Sequence, residues 1–215
     1  MNYASSKDGA EKVVAEIVKA GGKAIAVGAS VAKPEEIDHL FAQAKKAYGK
    51  VNVLVNNAGV YSFAPLDTLT PEGIAAMFNI NVTGLLLCSK AALPLFPPDG
   101  GSIINIGSIA GELAPPMATV YSGSKAAVNA ITRVLARELG PRQIRVNAVN
   151  PGPIATEGFK SAGFVGSDFE KQALQNTPLG RIGQPDDVAS VVTFLATEES
   201  GCITGSLIDA AGGLR

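Results

Sequence analysis

Short apolar runs alternate with longer amphipathic segments along the chain, and this alternation limits the possible folds more than any other feature. The runs have the length and composition of strands. We interpret as strands Ala24 to Val27, Val51 to Val55, Ser102 to Ile106, Ile144 to Val149, and Leu207 to Ile208. Strands that alternate with helices indicate βαβ units. The sequence therefore predicts an α/β fold, in which a parallel sheet is covered by helices on both faces.

The segments between these runs carry helix signals. The predicted helices run from Asp8 to Ala20, from Pro34 to just before Gly49, from Pro71 toward Leu93, from Val120 to Leu139, and from Pro185 onward. Three of them open on a proline, which is favoured at the first helical position. The segment Gly158 to Gly183 lacks a clear period, and we expect it to be a long irregular loop that serves as a lid. The alternative is a plain surface insertion.

Charge and cysteine usage exclude several classes of function. The 215 residues fit one domain, 1–215, and carry 18 basic and 19 acidic side chains without a run of either sign. We therefore expect no nucleic-acid or membrane partner, and a small molecule instead. Cys88 and Cys202 stand alone, which predicts no disulfide and no metal site. With no secretion signal and no unbroken apolar span, a cytoplasmic protein is expected.

Polar and turn-forming residues follow three of the predicted strands. Asn56-Asn57-Ala58-Gly59 comes after one strand, Ser108 after the next, and Pro151-Gly152-Pro153 after a third. Ligands of open α/β sheets bind at the carboxyl ends of the strands. Each segment alone could be an ordinary strand-to-helix turn, but together they predict a binding site along one edge of the sheet.

Tyr121 and Lys125 lie four residues apart on a predicted helix, so they share one face. A nearby ammonium group lowers the pKa of a phenol by favouring the phenolate. We therefore predict that Lys125 lowers the pKa of Tyr121, which would make the phenol an acid/base near neutral pH. By itself this pair is a weak signal, because most such pairs are surface contacts.

The combined motifs resemble the short-chain dehydrogenase/reductase family in order and spacing. They are Asn56-Asn57-Ala58-Gly59, Asn81-Val82-Thr83-Gly84, Ser108, Tyr121-Ser122-Gly123-Ser124-Lys125, and Asn150-Pro151-Gly152. The resemblance extends from Asn2 to Gly213. It implies a Rossmann-like, doubly wound parallel sheet and NAD(P)(H)-dependent interconversion of a carbonyl and an alcohol on a small substrate. It also implies a homo-oligomer, either a dimer or a tetramer.

The resemblance implies a role for each catalytic residue. Tyr121 is the general acid/base, and Lys125 also holds the nicotinamide ribose. Ser108 bonds the substrate oxygen and stabilises the charge that develops there. Asn81 anchors a water that links Lys125 to solvent. The alternative for Asn81 is an asparagine inside a helix that bonds to backbone.

The same resemblance implies a set of cofactor-binding residues. Besides Tyr121 and Lys125, they are Tyr3, Ser5, Ser6, Ser30, Val31, Asn57, Ala58, Gly59, Pro151, Gly152, Ile154 and Thr156. The segment from Asn2 to Ser6 has no acidic residue for a ribose 2′-OH, which favours NADP(H) and leaves NAD(H) possible. The alternative is that this segment is a frayed terminus.

The chain departs from the family pattern at two places. It has no glycine-rich TGxxxGxG-type loop, which would bind the pyrophosphate at a helix N-terminus. The first strand of the family is absent and the second nearly so, which predicts a two-strand gap between Ala24 to Val27 and Val51 to Val55. We expect a truncated record of a longer enzyme, rather than a fragment that rearranges or borrows strands from another subunit. Ser30 stands where the family has an Asp that contacts adenine.

A serine hydrolase and an inactive homologue are the two alternatives to an active oxidoreductase. A serine hydrolase is disfavoured because no GxSxG surrounds Ser108 and the only histidine, His39, is unsuited to activate it. An inactive homologue that retains only its assembly helices, Pro71 to Leu93 and Val120 to Leu139, remains the main alternative. An apolar substrate pocket is predicted from Val60, Tyr61, Phe63, Leu113, Met117, Phe159 and Phe164. The substrate itself is left open.

Overall fold

The structure is a computed structural model that describes residues 1–161 and 163–215. Its strands form two parallel sheets. In the smaller sheet β1 (Asn2–Tyr3) pairs with β2 (Val27–Gly28). In the larger sheet the order is β3 (Val53–Asn56), β4 (Gly101–Ile106), β5 (Ile144–Pro151) and β6 (Leu207–Ala210). Every pairing is parallel, as predicted.

Helices connect consecutive strands. In the described part of the chain they are α1 (Lys7–Lys19), α2 (Pro34–Tyr48), α3 (Pro71–Phe78), α4 (Leu85–Ala92), α5 (Ala110–Leu113), α6 (Thr119–Leu139), α7 (Glu157–Ser161), α8 (Asp168–Asn176) and α9 (Pro185–Ala196). The prolines that open α2, α3 and α9 sit at first-turn positions that need no hydrogen-bonded N–H. Thr70 caps α3 by accepting a bond from the Gly73 N–H at 3.1 Å.

The core lies on both faces of β4 and β5. Ile103 packs with residues of α2, α4 and α6 on one face, whereas Ile104 packs with Leu195 of α9 on the other. Both isoleucines are fully buried. This reversal between successive residues follows from the two-residue period of a strand. Each such side chain contributes about 1.5 to 3 kcal/mol when it is fully buried, so the centre of the larger sheet is the most strongly packed part of the fold.

The expected break in the sheet is present, but it is narrower than predicted. Asn2–Tyr3 were expected to be nearly lost as a strand, yet they pair with Val27–Gly28. The Val27 and Ala29 N–H groups donate to the Met1 and Tyr3 carbonyls, both at 2.9 Å. The break therefore separates the β1-β2 sheet from β3, and it leaves Val55 of β3 41% exposed.

Three predicted segments differ from the observed elements. The strand predicted at Ala24 to Val27 is β2, Val27–Gly28. The predicted helix from Pro71 to Leu93 is α3 and α4 joined by a π-helical segment, Asn79–Gly84. The segment Gly158 to Gly183 is not wholly irregular, because it contains most of α7 and all of α8. Helix α8 is mostly polar and buries only Ala173, so it lacks the broad apolar face by which a core-facing helix is recognised in a sequence.

One helical run, Pro71–Leu95, is 25 residues long and contains an 18-residue window with a mean hydropathy of 1.4, so it could cross a membrane by length and composition alone. The core helix of a soluble protein satisfies the same criteria. In this fold Leu85, Cys88 and Ala92 of α4 are buried, and Cys88 and Ala92 belong to the main core cluster.

Candidate active site

The carboxyl ends of β3, β4 and β5 lie at one edge of the larger sheet, as predicted. Asn56 pairs in register with Asn105, and Ile106 pairs with Val149. The residues that follow these strand ends therefore reach the same edge. Ser108 follows β4 by two residues and is buried, with 8% of its surface exposed.

Helix α6 brings Tyr121 and Lys125 to this edge. Tyr121 and Ser108 line the same cavity. The Lys125 Nζ atom lies 5.9 Å from the centroid of the Tyr121 ring. It donates a hydrogen bond to the Ile106 carbonyl at 2.8 Å, and the side chain is 6% exposed. The Ile106 carbonyl thus holds the ammonium group beside the end of β4.

The prediction that Lys125 lowers the pKa of Tyr121 is wrong for this geometry. Burial raises the pKa of Tyr121, and the nearby Ser108 hydroxyl only partly opposes that rise. Burial also lowers the pKa of Lys125 to about 8. Desolvation disfavours the charged form of each group, and the ammonium, 5.9 Å from the centroid of the ring, does not reverse the rise in the pKa of Tyr121. The protonated phenol is therefore the favoured form of Tyr121.

Asn81 lies in the π-helical segment and is 2% exposed. Its Oδ1 accepts a bond from the Val60 N–H at 2.8 Å, and its Nδ2 donates to the Val60 carbonyl at 2.8 Å and to Ser124 Oγ at 3.0 Å. Ser124 in turn donates to the Tyr121 carbonyl at 2.7 Å. The amide is bonded to backbone, but to the backbone of a distant loop rather than of its own helix. Asn81 thus ties the segment after β3 to α6.

Gly59 lies close to both Asn81 and Lys125. A Cβ atom at this position would be 3.4 Å from Asn81 Oδ1 and 3.5 Å from Lys125 Nζ. A side chain would therefore occupy the space in front of both groups. The glycine keeps open a cradle with polar walls, of the kind that a ribose hydroxyl fits.

An apolar cavity of about 370 Å³ opens beside Ser108 and Tyr121. Its lining residues are Tyr61, Phe63, Ser108, Ile109, Ala110, Leu113, Pro115, Tyr121, Gly152, Pro153, Ile154, Thr156, Phe159, Phe164, Phe169, Gln172, Ala173, Asn176 and Leu214. Five of the seven residues predicted for the substrate pocket are among them. Val60 and Met117 are not: Asn81 bonds the Val60 backbone, and Met117 is 51% exposed.

The remaining predicted cofactor residues fall into two groups. Gly152, Ile154 and Thr156 line the cavity beside Tyr121, and Pro151 ends β5 next to them. Asn57, Ala58 and Gly59 are exposed at the end of β3. The second group belongs to the β1-β2 side of the fold and consists of Tyr3, Ser5, Ser6, Ser30 and Val31.

The second group has its own local structure. Ser5 and Ser6 are exposed just before α1, and the Tyr3 ring covers Gly28, where a Cβ atom would be 3.1 Å from the ring. Ser30 donates its N–H to the Glu36 carboxylate at 2.6 Å. The Val31 carbonyl packs against Gly84 of the π-helical segment, where a Cβ atom would lie 2.7 Å from it.

A buried chain of polar side chains behind the site was not predicted. Asn56 donates to Asn105 Oδ1 at 2.9 Å, and Asn105 donates to Thr132 Oγ1 at 2.9 Å. Asn105 and Thr132 are fully buried. The signal in the sequence was an asparagine within an otherwise apolar strand, because a buried amide must find partners. These hydrogen-bonded side chains join β3, β4 and α6 directly behind the strand ends.

Both the sequence and the fold are similar to those of known oxidoreductases. A family model described as Enoyl-(Acyl carrier protein) reductase matches residues 2–215. A 3-oxoacyl-[acyl-carrier-protein] reductase of Synechocystis is 40% identical over 216 residues, which span all of this chain and 85% of that protein. A solved variant of a Serratia marcescens short-chain dehydrogenase/reductase superposes with a TM-score of 0.92 at 36% identity, covering 99% of this chain and 85% of that one.

The chain belongs to the short-chain dehydrogenase/reductase family. The predicted resemblance and the Rossmann-like α/β fold are thereby confirmed, and so is its place among oxidoreductases. Another neighbour by fold is a blue fluorescent protein from a metagenomic library, solved in complex with NADPH. It superposes with a TM-score of 0.92 at 36% identity, covering all of this chain and 86% of that protein.

Proposed function

We propose that the chain is an NADP(H)-dependent oxidoreductase that interconverts a carbonyl and an alcohol on a small apolar substrate. The observation that carries this proposal is that Tyr121 and Ser108 line the same apolar cavity, beside the buried Lys125. Both hydroxyl groups can bond one substrate oxygen. The apolar walls exclude water and strengthen those bonds.

In the reductive direction Tyr121 is the proton donor. Burial raises its pKa, so the phenol carries its proton at neutral pH and can transfer it to the substrate oxygen as negative charge develops there. Ser108 donates a hydrogen bond to the same oxygen. The nicotinamide, when bound, supplies the hydride. In the oxidative direction the phenolate of Tyr121 accepts the alcohol proton.

Lys125, Asn81 and Gly59 serve the nicotinamide end of the cofactor. The Lys125 ammonium is held by the Ile106 carbonyl and has further N–H groups that can donate to ribose hydroxyls. Asn81 positions the loop after β3 through Val60. The proposed water that links Lys125 to solvent would lie beside Asn81. Gly59 leaves room for the ribose between Asn81 and Lys125.

The preference for NADP(H) rests on the end of β1. Ser5 and Ser6 are exposed just before α1, and no carboxylate lies between Asn2 and Ser6 to repel a 2′-phosphate. The N-terminus of a helix also favours an anion. The NADPH complex of a neighbour by fold supports the same choice.

Carbonyl reduction is favoured over reduction of a carbon–carbon double bond, which the description of the matching family model names. Tyr121 can donate a proton, and the neighbouring Ser108 hydroxyl can donate a hydrogen bond. Both groups stabilise a carbonyl oxygen as it gains negative charge. The Synechocystis relative, by its name, reduces a 3-oxoacyl group.

We further propose a cytosolic homo-oligomer that assembles through α3, α4 and α6, because Ile74, Leu86 and Val134 leave 39%, 39% and 52% of their surfaces exposed.

The proposal is tested first by titrating the purified chain with NADPH and NADH and following nicotinamide fluorescence. We expect saturable binding of both cofactors, with tighter binding of NADPH. The chain should then oxidise NADPH when α-tetralone is added as substrate, but not when an α,β-unsaturated acyl thioester is added. Tyr121→Phe should bind NADPH as the unsubstituted chain does but lose turnover, because only the proton donor is removed. An absence of binding to both cofactors would overturn the proposal and favour an inactive homologue with an assembly role.

A further inference from the structure

The cavity beside Tyr121 has no charged side chain in its lining among the described residues. Its polar side chains are hydroxyls and carboxamides, and the rest of its wall is apolar. Burial of a carboxylate or an ammonium without a partner is costly. An uncharged substrate is therefore favoured, within a cavity of about 370 Å³ that has room for a fused two-ring compound.

Aromatic rings cluster beside Tyr121 on the wall of the cavity. Tyr61 and Phe63, from the loop after β3, each have their ring centroid 6.1 Å from that of Tyr121. The Phe164 ring, between α7 and α8, lies 6.5 Å from Tyr61 and 6.0 Å from Phe63. Rings at these separations prefer offset or edge-to-face contacts with another flat ring. The cavity is therefore suited to an aromatic substrate more than to a flexible alkyl chain.

Two carboxamides lie on the part of the cavity wall that α8 contributes. Gln172 and Asn176 are one helical turn apart, and both line the cavity. Asn176 Nδ2 donates to the Gln172 carbonyl at 2.9 Å, which orients the amide and leaves its Oδ1 atom available as an acceptor. Across residues 1–161 and 163–215, the Gln172 carboxamide makes no hydrogen bond. Both residues are also exposed to solvent, as Gln175 is, but only Gln172 and Asn176 line the cavity, where their amides retain hydrogen-bonding capacity.

We propose that Gln172 and Asn176 determine substrate specificity by bonding a second oxygen of an uncharged aromatic ketone. The substrate class is a fused-ring ketone that carries a hydroxyl group away from the reacting carbonyl. This inference rests on the proposed function, because Tyr121 and Ser108 must hold the carbonyl while α8 binds the distant hydroxyl. Sites that bond a substrate hydroxyl discriminate against the analogue that lacks it, since their polar groups are then left unpaired.

The test compares α-tetralone with 6-hydroxy-α-tetralone. For each protein, the kcat/KM for 6-hydroxy-α-tetralone is divided by the kcat/KM for α-tetralone. This ratio should be at least about 10-fold higher for the unsubstituted chain than for a Gln172→Leu/Asn176→Leu variant. The comparison of ratios between variants cancels the electronic effect of the hydroxyl on the carbonyl. Gln175→Leu is the matched control, because Gln175 is exposed on α8 and does not line the cavity. It should keep the ratio of the unsubstituted chain.

Calorimetric binding of the same two ketones separates this inference from the proposed function. If neither ketone is reduced but the hydroxylated one binds more tightly and loses that advantage in the double variant, the specificity inference stands and the proposed reaction fails. If both ketones are reduced and the double variant keeps the ratio, the specificity inference is overturned and the proposed reaction stands. Equal binding of both ketones to the unsubstituted chain would also overturn it.

Discussion

The side-chain amide of Asn81 bonds both main-chain polar groups of Val60, at 2.8 Å each, in the manner of a strand partner. Two residues distant in sequence are thereby joined directly behind Gly59. Any change to this amide should affect both the stability of the fold and the position of the loop that faces Lys125.

Asn81→Ala should lower the free energy of unfolding by about 1 to 3 kcal/mol, because it leaves buried polar groups unpaired. It should also weaken NADPH binding, since the loop that carries Gly59 loses its anchor. Asn79→Ala is the matched control: Asn79 is exposed in the same π-helical segment and makes one hydrogen bond of 3.3 Å. Urea denaturation and NADPH titration measure both effects. Equal costs for the two variants would contradict the anchoring role.

The pH dependence of stability should report the buried Lys125. Burial lowers its pKa from 10.5 to about 8, so the folded chain releases this proton more readily than the unfolded chain. The cost of burying the charge is complete below pH 8 and disappears as the pH rises toward 10.5. The stability of the chain relative to Lys125→Met should therefore rise by up to about 3 kcal/mol across that window.

Chemical denaturation of both proteins at intervals from pH 7 to 10.5 measures this difference. Lys90→Met, at an exposed position on α4, provides the baseline for loss of a surface charge. A difference between the chain and Lys125→Met that stays constant with pH would show that Lys125 is not desolvated as the structure indicates.

The pH profile of the proposed reaction should follow Tyr121. Its pKa is raised by burial, so reduction needs no change of protonation at neutral pH and should decline only at strongly alkaline pH. Oxidation of the alcohol needs the phenolate and should accelerate as the pH rises. Tyr121→Phe should lower kcat by roughly 100-fold or more in both directions. Steady-state rates in each direction test this, and an oxidative rate that is highest near neutral pH would disagree with it.

Two glycine substitutions should have opposite effects on folding and binding. At Gly59 an alanine Cβ makes only ordinary contacts, so Gly59→Ala should fold with nearly unchanged stability but bind NADPH more weakly, because the methyl group fills the cradle. At Gly107 a Cβ would overlap Asn150 Oδ1, so Gly107→Ala should lose about 1 to 3 kcal/mol of stability. Thermal unfolding and NADPH titration distinguish them. If Gly107→Ala bound NADPH weakly but kept its stability, the predicted overlap with Asn150 would be wrong.

Hydrogen exchange should be faster in the smaller sheet than in the larger one. The Val27 and Ala29 amides are protected only by the two-residue strand β1, whereas Ile103 and Ile104 are fully buried at the centre of β4. Local opening therefore costs less free energy in β1-β2. Exchange followed by mass spectrometry or NMR measures the difference. Equal protection of the two sheets would mean that they open as one unit.

Much of the architecture could be read from local patterns. Strands β4 and β5 are short, mostly apolar segments rich in β-branched residues, and α2, α3 and α9 open on prolines, so their type and approximate bounds followed from the sequence. The positions of Ser108, Tyr121 and Lys125 at one edge followed from strand ends and helical spacing. Helix α8 was missed because it buries only Ala173, and with it the cavity-lining Gln172 and Asn176.

The sequence by itself determined the α/β class, the parallel pairing and the family, because these depend on periodicity and on motifs that each lie within one element. Only the tertiary structure decided the direction of the Tyr121 pKa shift, the bonding of Asn81 to Val60, and the pairing of Asn2–Tyr3 with β2. These properties depend on how distant segments exclude water and pair their polar groups. Desolvation is a property of the packed surroundings, and no spacing along the chain encodes it directly.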